Sequence, residues 1–258
     1  MRNILMSVVV LISIASASAS NQSSPLSMTI TVEGVLTLGQ PVQVLLSIQN
    51  AANEEILADL GDNRVGQFAV SMNYPDGSLR RARFPEARGV ARISTVRVPA
   101  RGLYKQRLLL DEALQFSQEG RYEGAVEFAG EVSTESGVVL DSPRAFPLSF
   151  VIAPRNAAAL DQAYSRLATL ALTADATERL EATKALSAVR DPIVVKYLEH
   201  ILAKTTHYDG IVLNTLAQIA SDDARRALEA AAASDNVDRA KRARQALLRS
   251  GRGQNWHR

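Results

Sequence analysis

The C-terminal half of the chain contains a segment that returns about thirty residues later. The matched pairs are Ala185-Leu186 with Thr215-Leu216, Asp191-Pro192 with Ser221-Asp222, and Lys196-Tyr197-Leu198-Glu199 with Arg226-Ala227-Leu228-Glu229. A weaker third copy begins at Gln245. A period of this length, rich in Ala and Leu, is typical of stacked helix pairs in which neighbouring repeats bury a shared core. The repeat therefore predicts a short α-solenoid, an architecture that commonly presents a binding surface.

The N-terminus has the three parts of a secretory signal peptide. A basic start at Arg2 precedes the apolar run Ile4 to Ile14, and small residues then extend to Ala19. The run is shorter than a membrane span requires. We predict a signal peptide over residues 1–19, cleavage near Ala19, and a bacterial periplasmic or extracellular mature protein without a transmembrane segment. An uncleaved membrane anchor is the alternative. Since the chain has no cysteine, its fold must rest on a packed core and not on disulfides.

The sequence changes from strand-like to helical patterning near Pro154. Before this point, segments alternate apolar and polar residues and are separated by turn residues, which is typical of an antiparallel β-sandwich. The predicted strands cover residues 28–32, 42–49, 68–74, 91–98, 103–110, 122–128 and 145–152. We predict a flexible start over residues 20–27 and an immunoglobulin-like sandwich domain over residues 28–153. Tyr122, just after Gly120, is either a tyrosine corner or an ordinary strand aromatic residue.

After Pro154, apolar residues recur at helical spacing. We predict five or six helices over residues 154–250, followed by a basic tail over residues 251–258. Asp175, Asp191 and Ser221 each precede a helical pattern and are the expected N-cap residues. The predicted fold is thus an antiparallel β-sandwich followed by a short α-solenoid of helix pairs.

The helical segment resembles a HEAT repeat of the short bacterial type. The resemblance rests on Arg179 to Leu186, Asp191-Pro192 and Leu198-Glu199, followed by a second copy and a partial third. Leu108 to Glu112, with Phe116 and Gly120-Arg121-Tyr122, is similar to a segment of bacterial secreted proteins that join an immunoglobulin-like domain to HEAT-like repeats. The resemblance implies a fold and supplies no catalytic residues.

Two sets of charged residues are candidates for contact with partners. Lys196, Glu199, Arg226 and Glu229 occupy matching repeat positions and are the candidate protein-binding residues, with an i, i+3 ion pair within each helix as the alternative interpretation. The last helix carries basic residues that form a candidate patch for anionic surfaces, although basic residues also favour a helix C-terminus. The patch consists of Arg239, Lys241, Arg242, Arg244 and Arg249.

The sequence contains no motif for catalysis or cofactor binding. His200 and His207 lack the spacing of a metal-binding pair, there is no nucleophile elbow, and no glycine-rich phosphate loop occurs. An active site made of two carboxylates far apart in the sequence, as in glycosidases, is an alternative that the sequence leaves open. A predicted secreted location, and basic stretches with few aromatic residues, disfavour nucleic acid as a partner.

These observations predict a non-catalytic secreted or periplasmic binding or scaffolding protein without a cofactor. An unidentified protein is the expected partner. The alternatives are an enzyme or accessory domain acting on an envelope polymer, and a peripheral binder of anionic membrane surfaces through the C-terminal helix.

Overall fold

The computed structural model of the protein describes residues 25–85 and 94–253. The predicted signal peptide, the cleavage site at Ala19, most of the predicted flexible start and the end of the predicted basic tail lie outside the described residues. Strands occupy the first part of the described chain and six helices the second, which confirms the predicted order.

The β-rich part contains twelve described strands. Their bounds are β1 Leu26–Val32, β2 Leu36–Thr37, β3 Gln43–Asn50, β4 Ile56–Asp59, β5 Phe68–Asn73, β6 Leu79–Arg83, β7 Thr95–Val98, β8 Leu103–Leu109, β9 Gly120–Phe128, β10 Val132–Thr134, β11 Val139–Leu140 and β12 Ala145–Ala153. They form three sheets, in the orders β1-β3-β8, β11-β10-β4-β7 and β2-β12-β9-β5-β6. All pairs are antiparallel except β2 with β12.

Alternation of apolar and polar residues places one face of these strands in a single hydrophobic core. In β12 every second residue from Phe146 to Ile152 is buried, and β1 follows the same pattern. Because successive side chains in a strand point to opposite faces, the sequence pattern alone determines which residues enter the core. Tyr122 is fully buried and its hydroxyl donates to the carbonyl oxygen of Gln118 at 2.8 Å, the bond that a tyrosine corner requires.

The helices begin after a short connection from β12. They are α1 Ala157–Thr173, α2 Ala176–Ala188, α3 Val195–Lys204, α4 Asp209–Gln218, α5 Asp222–Ala232 and α6 Val237–Gly253, and a 3-10 turn at Pro192–Val194 leads into α3. The side chains of Asp175, Asp191 and Ser221 accept hydrogen bonds from the first amides of their helical segments, as predicted. No helix among the described residues is a candidate for spanning a membrane.

The helices pack in two rows. α1, α3 and α5 contact one another in sequence, as do α2, α4 and α6, and the rows meet where α1 packs on α2, α3 on α4 and α5 on α6. Their shared core is rich in Ala and Leu, with Leu186, Leu198, Leu216 and Leu228 each buried. Small side chains such as Ala227 allow the close approach that this stacking needs.

The first helix is joined directly to the β-rich part. The fully buried Tyr164 of α1 donates its hydroxyl hydrogen to the carbonyl oxygen of Gly39 at 2.7 Å. At the β12–α1 connection, Thr37 Oγ1 donates to the Pro154 carbonyl at 2.7 Å and accepts from the Asn156 amide at 3.1 Å. α1 is therefore fixed at its first turn and at its centre.

The second helix is joined to the β-rich part by ion pairs. Arg107 of β8 lies 2.8 Å from Glu33, 3.6 Å from Glu178 and 4.0 Å from Glu181, and the last two residues belong to α2. The hydrogen bond with Glu33 raises the pKa of Arg107, so the guanidinium stays charged. α2 thus faces the β-rich part and is not a free surface of the helical stack.

Candidate functional site

A surface groove of about 630 Å³ crosses the row formed by α1, α3 and α5. Three of the four candidate protein-binding residues, Lys196, Glu199 and Arg226, line it. The other lining residues are Ala157, Ala158 and Asp161 of α1, Pro192 and Ile193 of the 3-10 turn, Val195 at the start of α3, and Asp223 of α5. We call this surface the row groove. Matching repeat positions lie side by side here because α3 and α5 are neighbours in one row.

The start of α3 is held in place by Asp191. Its side chain accepts from the Ile193 amide at 3.0 Å, and Pro192 occupies the first turn, where its missing N–H costs no hydrogen bond. Arg155 binds the same carboxylate through Nε at 2.7 Å and Nη2 at 3.2 Å. The connection from the β-rich part therefore fixes the helix end that borders the row groove.

Lys196 forms its ion pair with a residue of another helix. Its Nζ lies 2.5 Å from Oδ1 of Asp161 in α1, and the hydroxyl of Tyr197 donates to the same oxygen at 2.8 Å. The hydrogen bond from Lys196 lowers the pKa of Asp161, and the same bond raises the pKa of Lys196. The alternative interpretation, an ion pair between Lys196 and Glu199 within α3, is not the observed pairing. The observed pair links two helices and forms part of the groove wall.

The other charges leave the row groove with an excess of negative charge. Arg226 pairs with Asp223 within α5, and Glu199 has no ion-pair partner among the described residues. Glu229 pairs with Arg225 at 3.5 Å and does not line the groove. Lys196 and Arg226 each pair with an aspartate, whereas Glu199 forms no ion pair among the described residues. Glu199 is therefore the group best placed to attract a cation from a partner.

A second groove adjoins the first at Lys196, which lines both. It has a volume of about 480 Å³ and is more apolar, with Leu172 and Ala168 of α1 facing Tyr197 and His200 of α3. Together the two grooves follow the contact between α1 and α3. A partner bound along both grooves contacts charged residues in the row groove and apolar residues in the second groove.

The residues of the candidate anionic-surface patch on α6 differ in exposure, with one largely buried and four exposed. Arg239 is largely buried, and its guanidinium binds both carboxylate oxygens of Asp209 at 2.9 and 3.0 Å. It also donates to the Thr205 carbonyl at 2.9 Å, so its charge is used inside the fold. The patch residues with exposed side chains that form no ion pair within the described chain are Lys241, Arg242, Arg244 and Arg249.

Asp161 and Asp223 also line the row groove, and neither is among the candidate residues that the sequence predicts. Asp223 lies one turn before Arg226, so helical spacing offered a signal for that pair. Asp161 is brought to Lys196 only by the packing of α1 on α3, and no local pattern indicates this contact.

A third cleft lies between the β-rich part and the helices. It has a volume of about 470 Å³ and includes Asp111, Arg190 and Asp191. Burial raises the pKa of Asp111 to about 7, and its Oδ2 accepts from the Val42 amide at 2.6 Å. A carboxyl group that titrates near neutrality is a common feature of acid–base sites. Here the Asp111 side chain serves as the hydrogen-bond acceptor for the backbone amide of Val42.

The neighbouring guanidinium in this cleft is also used internally. Arg190 donates to the carbonyl oxygens of Ser187 and Val189 and to the side chain of Gln218. Within the described residues no cluster of three or more His, Cys, Asp or Glu side chains is arranged to hold a metal ion. Both His200 and His207 are exposed.

No protein-family model matches the sequence, and no curated protein matches it. Among solved structures, the chain is similar to a PapD-like domain of human CEP192, with 14% identity over 57% of this chain and 99% of that domain and a TM-score of 0.32. It is also similar to red sea bream transglutaminase, with 14% identity over 52% of this chain and 17% of that enzyme and a TM-score of 0.30. For the CARDB domain of a Pyrococcus furiosus protein, the identity is 15%, the coverage 54% and 95%, and the TM-score 0.25. Similarities this weak do not extend to function.

Proposed function

We propose that the protein is a non-catalytic binding or scaffolding protein of the bacterial periplasm or cell exterior, and that the row groove receives a protein partner. In this proposal the strands form an immunoglobulin-like sandwich and the helices a short HEAT-like solenoid. The two-row packing of the helices supports the second assignment.

The observation that carries the proposal is the meeting of Lys196, Glu199 and Arg226 in one groove. Solenoid proteins bind partners through side chains presented by equivalent helices of successive repeats. Lys196 and Arg226 hold equivalent positions, and each pairs with a carboxylate that also lines the groove.

The groove also defines the chemistry of the partner. Glu199 is the unmatched charge, so the partner contributes a Lys or Arg side chain at this position. The apolar end of the adjoining groove receives apolar side chains. A basic and apolar segment of a folded or extended protein satisfies both requirements.

Site-specific photo-cross-linking in envelope extracts tests the proposal. A photoreactive residue is placed at position 199, and at position 229 as the matched control, because Glu229 is the equivalent residue of the next repeat but does not line the groove. We expect one stoichiometric protein adduct at position 199 and a much weaker adduct at position 229. Equal labelling of many proteins from both positions contradicts a specific groove partner.

Charge reversal then tests the role of Glu199 on the captured partner. Glu199→Lys places a positive charge opposite the proposed basic side chain, and we expect the affinity to fall at least about tenfold. Glu229→Lys is the control and leaves the affinity unchanged. Saturable glycan binding, with no protein adduct, favours the alternative that the chain acts on an envelope polymer.

A second candidate function is attachment to anionic membrane surfaces through α6. Four exposed basic residues on one helix favour it, namely Lys241, Arg242, Arg244 and Arg249. Removing the helix is a poor test because Ala240, Ala243 and Ala246 are buried in the helical core. Replacement of the four basic residues by Gln is a better test because it leaves these buried alanines in place. The candidate function requires that this variant lose binding to anionic vesicles and that salt weaken the binding of the unaltered protein.

A further inference from the structure

Strand β6 forms one edge of the five-stranded sheet. It pairs with β5, and no strand among the described residues pairs with its other side. The strand is short and largely exposed, with the sequence Leu-Arg-Arg-Ala-Arg. An edge strand of this kind carries backbone donors and acceptors that another extended chain is able to pair with.

The register identifies the backbone groups that face outward. The amide of Tyr74 donates to the carbonyl of Ser78 at 2.9 Å in the turn between β5 and β6. Since hydrogen-bonded residues alternate along an antiparallel pair, Arg80 and Ala82 direct their backbone groups to β5. The amides and carbonyls of Leu79, Arg81 and Arg83 therefore point to the open edge.

The charges around this edge are mostly positive. Arg81 and Arg83 lie on the outer face of the sheet, opposite Ser71 and Ala69. Arg144 lines the same groove as these two residues, which has a volume of about 590 Å³. Glu127 neutralises Arg81, whereas Arg83 is exposed and forms no ion pair within the described chain. The open edge thus presents backbone groups beside uncompensated positive charge.

A second copy of the same strand is a poor occupant for this edge. In an antiparallel pair of β6 strands centred on Arg81, this residue faces its own copy and Leu79 faces Arg83. Directly opposed like charges destabilise strand pairing, and basic residues on edge strands commonly prevent self-association. The occupant that complements the edge carries acidic side chains.

We propose that the open edge of β6 binds an acidic, extended peptide segment of a partner protein as an added strand. Its backbone pairs with Leu79, Arg81 and Arg83, and its acidic side chains lie between the guanidinium groups on the outer face. This surface is separate from the row groove, and the proposal does not depend on that groove.

Two synthetic peptides of about ten residues provide the probe, a length suited to a single strand. One alternates Glu with Val and Thr, and the other has Lys in place of every Glu. We expect the acidic peptide to bind the full mature protein and to slow amide hydrogen exchange at Leu79, Arg81 and Arg83 about tenfold or more, because these amides gain hydrogen bonds. The amides of Arg80 and Ala82 already bond to β5, so their exchange changes little. Equal binding of both peptides overturns the proposal.

Two substitutions at one position separate strand pairing from simple charge attraction. Arg81→Ala removes a charge but keeps the outward amide, so we expect a loss of affinity of about two- to fivefold with the exchange protection retained. Arg81→Pro also removes the amide donor, at an edge position where proline is tolerated, and we expect peptide binding and protection to be lost. Arg121→Ala is the control, since Arg121 lies on the same outer face on the inner strand β9.

The proposal fails if Arg81→Pro binds the acidic peptide as well as Arg81→Ala does. Should Arg81→Pro not fold, a peptide with N-methyl groups on alternate residues replaces it as the test. That peptide keeps its charges and cannot complete the strand pairing. Binding as strong as that of the unmodified acidic peptide contradicts strand addition.

Discussion

Replacing Tyr164 by Phe tests whether the helices and the β-rich part form one cooperative structure. The hydroxyl of this fully buried residue donates to the carbonyl oxygen of Gly39 at 2.7 Å, joining the centre of α1 to the loop after β2. The substitution keeps the aromatic ring and removes only the donor. It leaves a partly buried carbonyl oxygen without its partner, and we expect the free energy of unfolding to fall by about 1–3 kcal/mol.

Urea denaturation of the protein, monitored by far-UV circular dichroism, measures this change. The matched control is Tyr197→Phe, because the Tyr197 hydroxyl bonds to Asp161 at the protein surface, where water is able to replace it. We expect the control to lose less than about 0.5–1 kcal/mol. In thermal unfolding, each kcal/mol corresponds to a lowering of the melting temperature by about 2–4 °C for a chain of this size.

The part of the molecule that loses stability is as informative as the size of the change in the free energy of unfolding. If the two parts unfold together, amide exchange accelerates in the strands as well as in the helices of the Tyr164→Phe variant. A loss confined to the helices refutes cooperative coupling through this bond. A variant as stable as the unaltered protein refutes the assignment of any net stabilisation to the hydroxyl.

Three further predictions concern the same structure. Gly39 has a φ of 99° and a Cβ there would lie 3.4 Å from a Leu160 methyl carbon, so Gly39→Ala should lower the free energy of unfolding by about 1–3 kcal/mol, measured by urea denaturation. Burial raises the pKa of Asp111 from 3.8 to about 7, so its protonated form stabilises the fold and this stability is lost as the pH rises through 7; Asp111→Asn should remove up to about 4 kcal/mol of pH dependence between pH 4 and 8. Arg239→Ala leaves the buried Asp209 unpaired and should cost about 3–5 kcal/mol, whereas the exposed patch residue Arg242, replaced by Ala, should change thermal stability little.

Alternation and capping carried most of the information about secondary structure. Each segment predicted as a strand contains an observed strand, with residues 91–93 of one of them outside the described chain. The strands that were not predicted are short or lack alternation, and β6 is the clearest case. Its Leu-Arg-Arg-Ala-Arg sequence has no fully buried residue and only Ala82 packs against the core, so β6 is held in place mainly by its backbone pairing with β5. Because such a strand forms through pairing with its neighbour, its own sequence pattern does not predict it.

The candidate site could be predicted only where the repeat itself encodes proximity. Lys196 and Arg226 are equivalent in the repeat, and equivalent helices stack, so their meeting in one groove follows from the sequence. The partners of Lys196 and Arg239 do not follow from it. Both are carboxylates on other helices, and the closest local candidate for Lys196, Glu199, was the wrong one.

The residues that join the helical stack to the β-rich part differ from those that line the row groove, and this difference bears on whether a stack so short braces the β-rich part or binds a partner. In the row of α2, α4 and α6, α2 faces β8 with Glu178 and Glu181, while Lys184 lies 3.6 Å from Glu112 in the turn that follows that strand. The row groove lies on the other row, and its lining residues all belong to the helical part. Since the residues that hold α2 to the β-rich part are not those that line the groove, the stack is able to serve both purposes at once. Substitutions in the row groove should therefore impair partner binding without destabilising the junction. Substitutions at Glu178 or Glu181 should destabilise the junction without impairing partner binding.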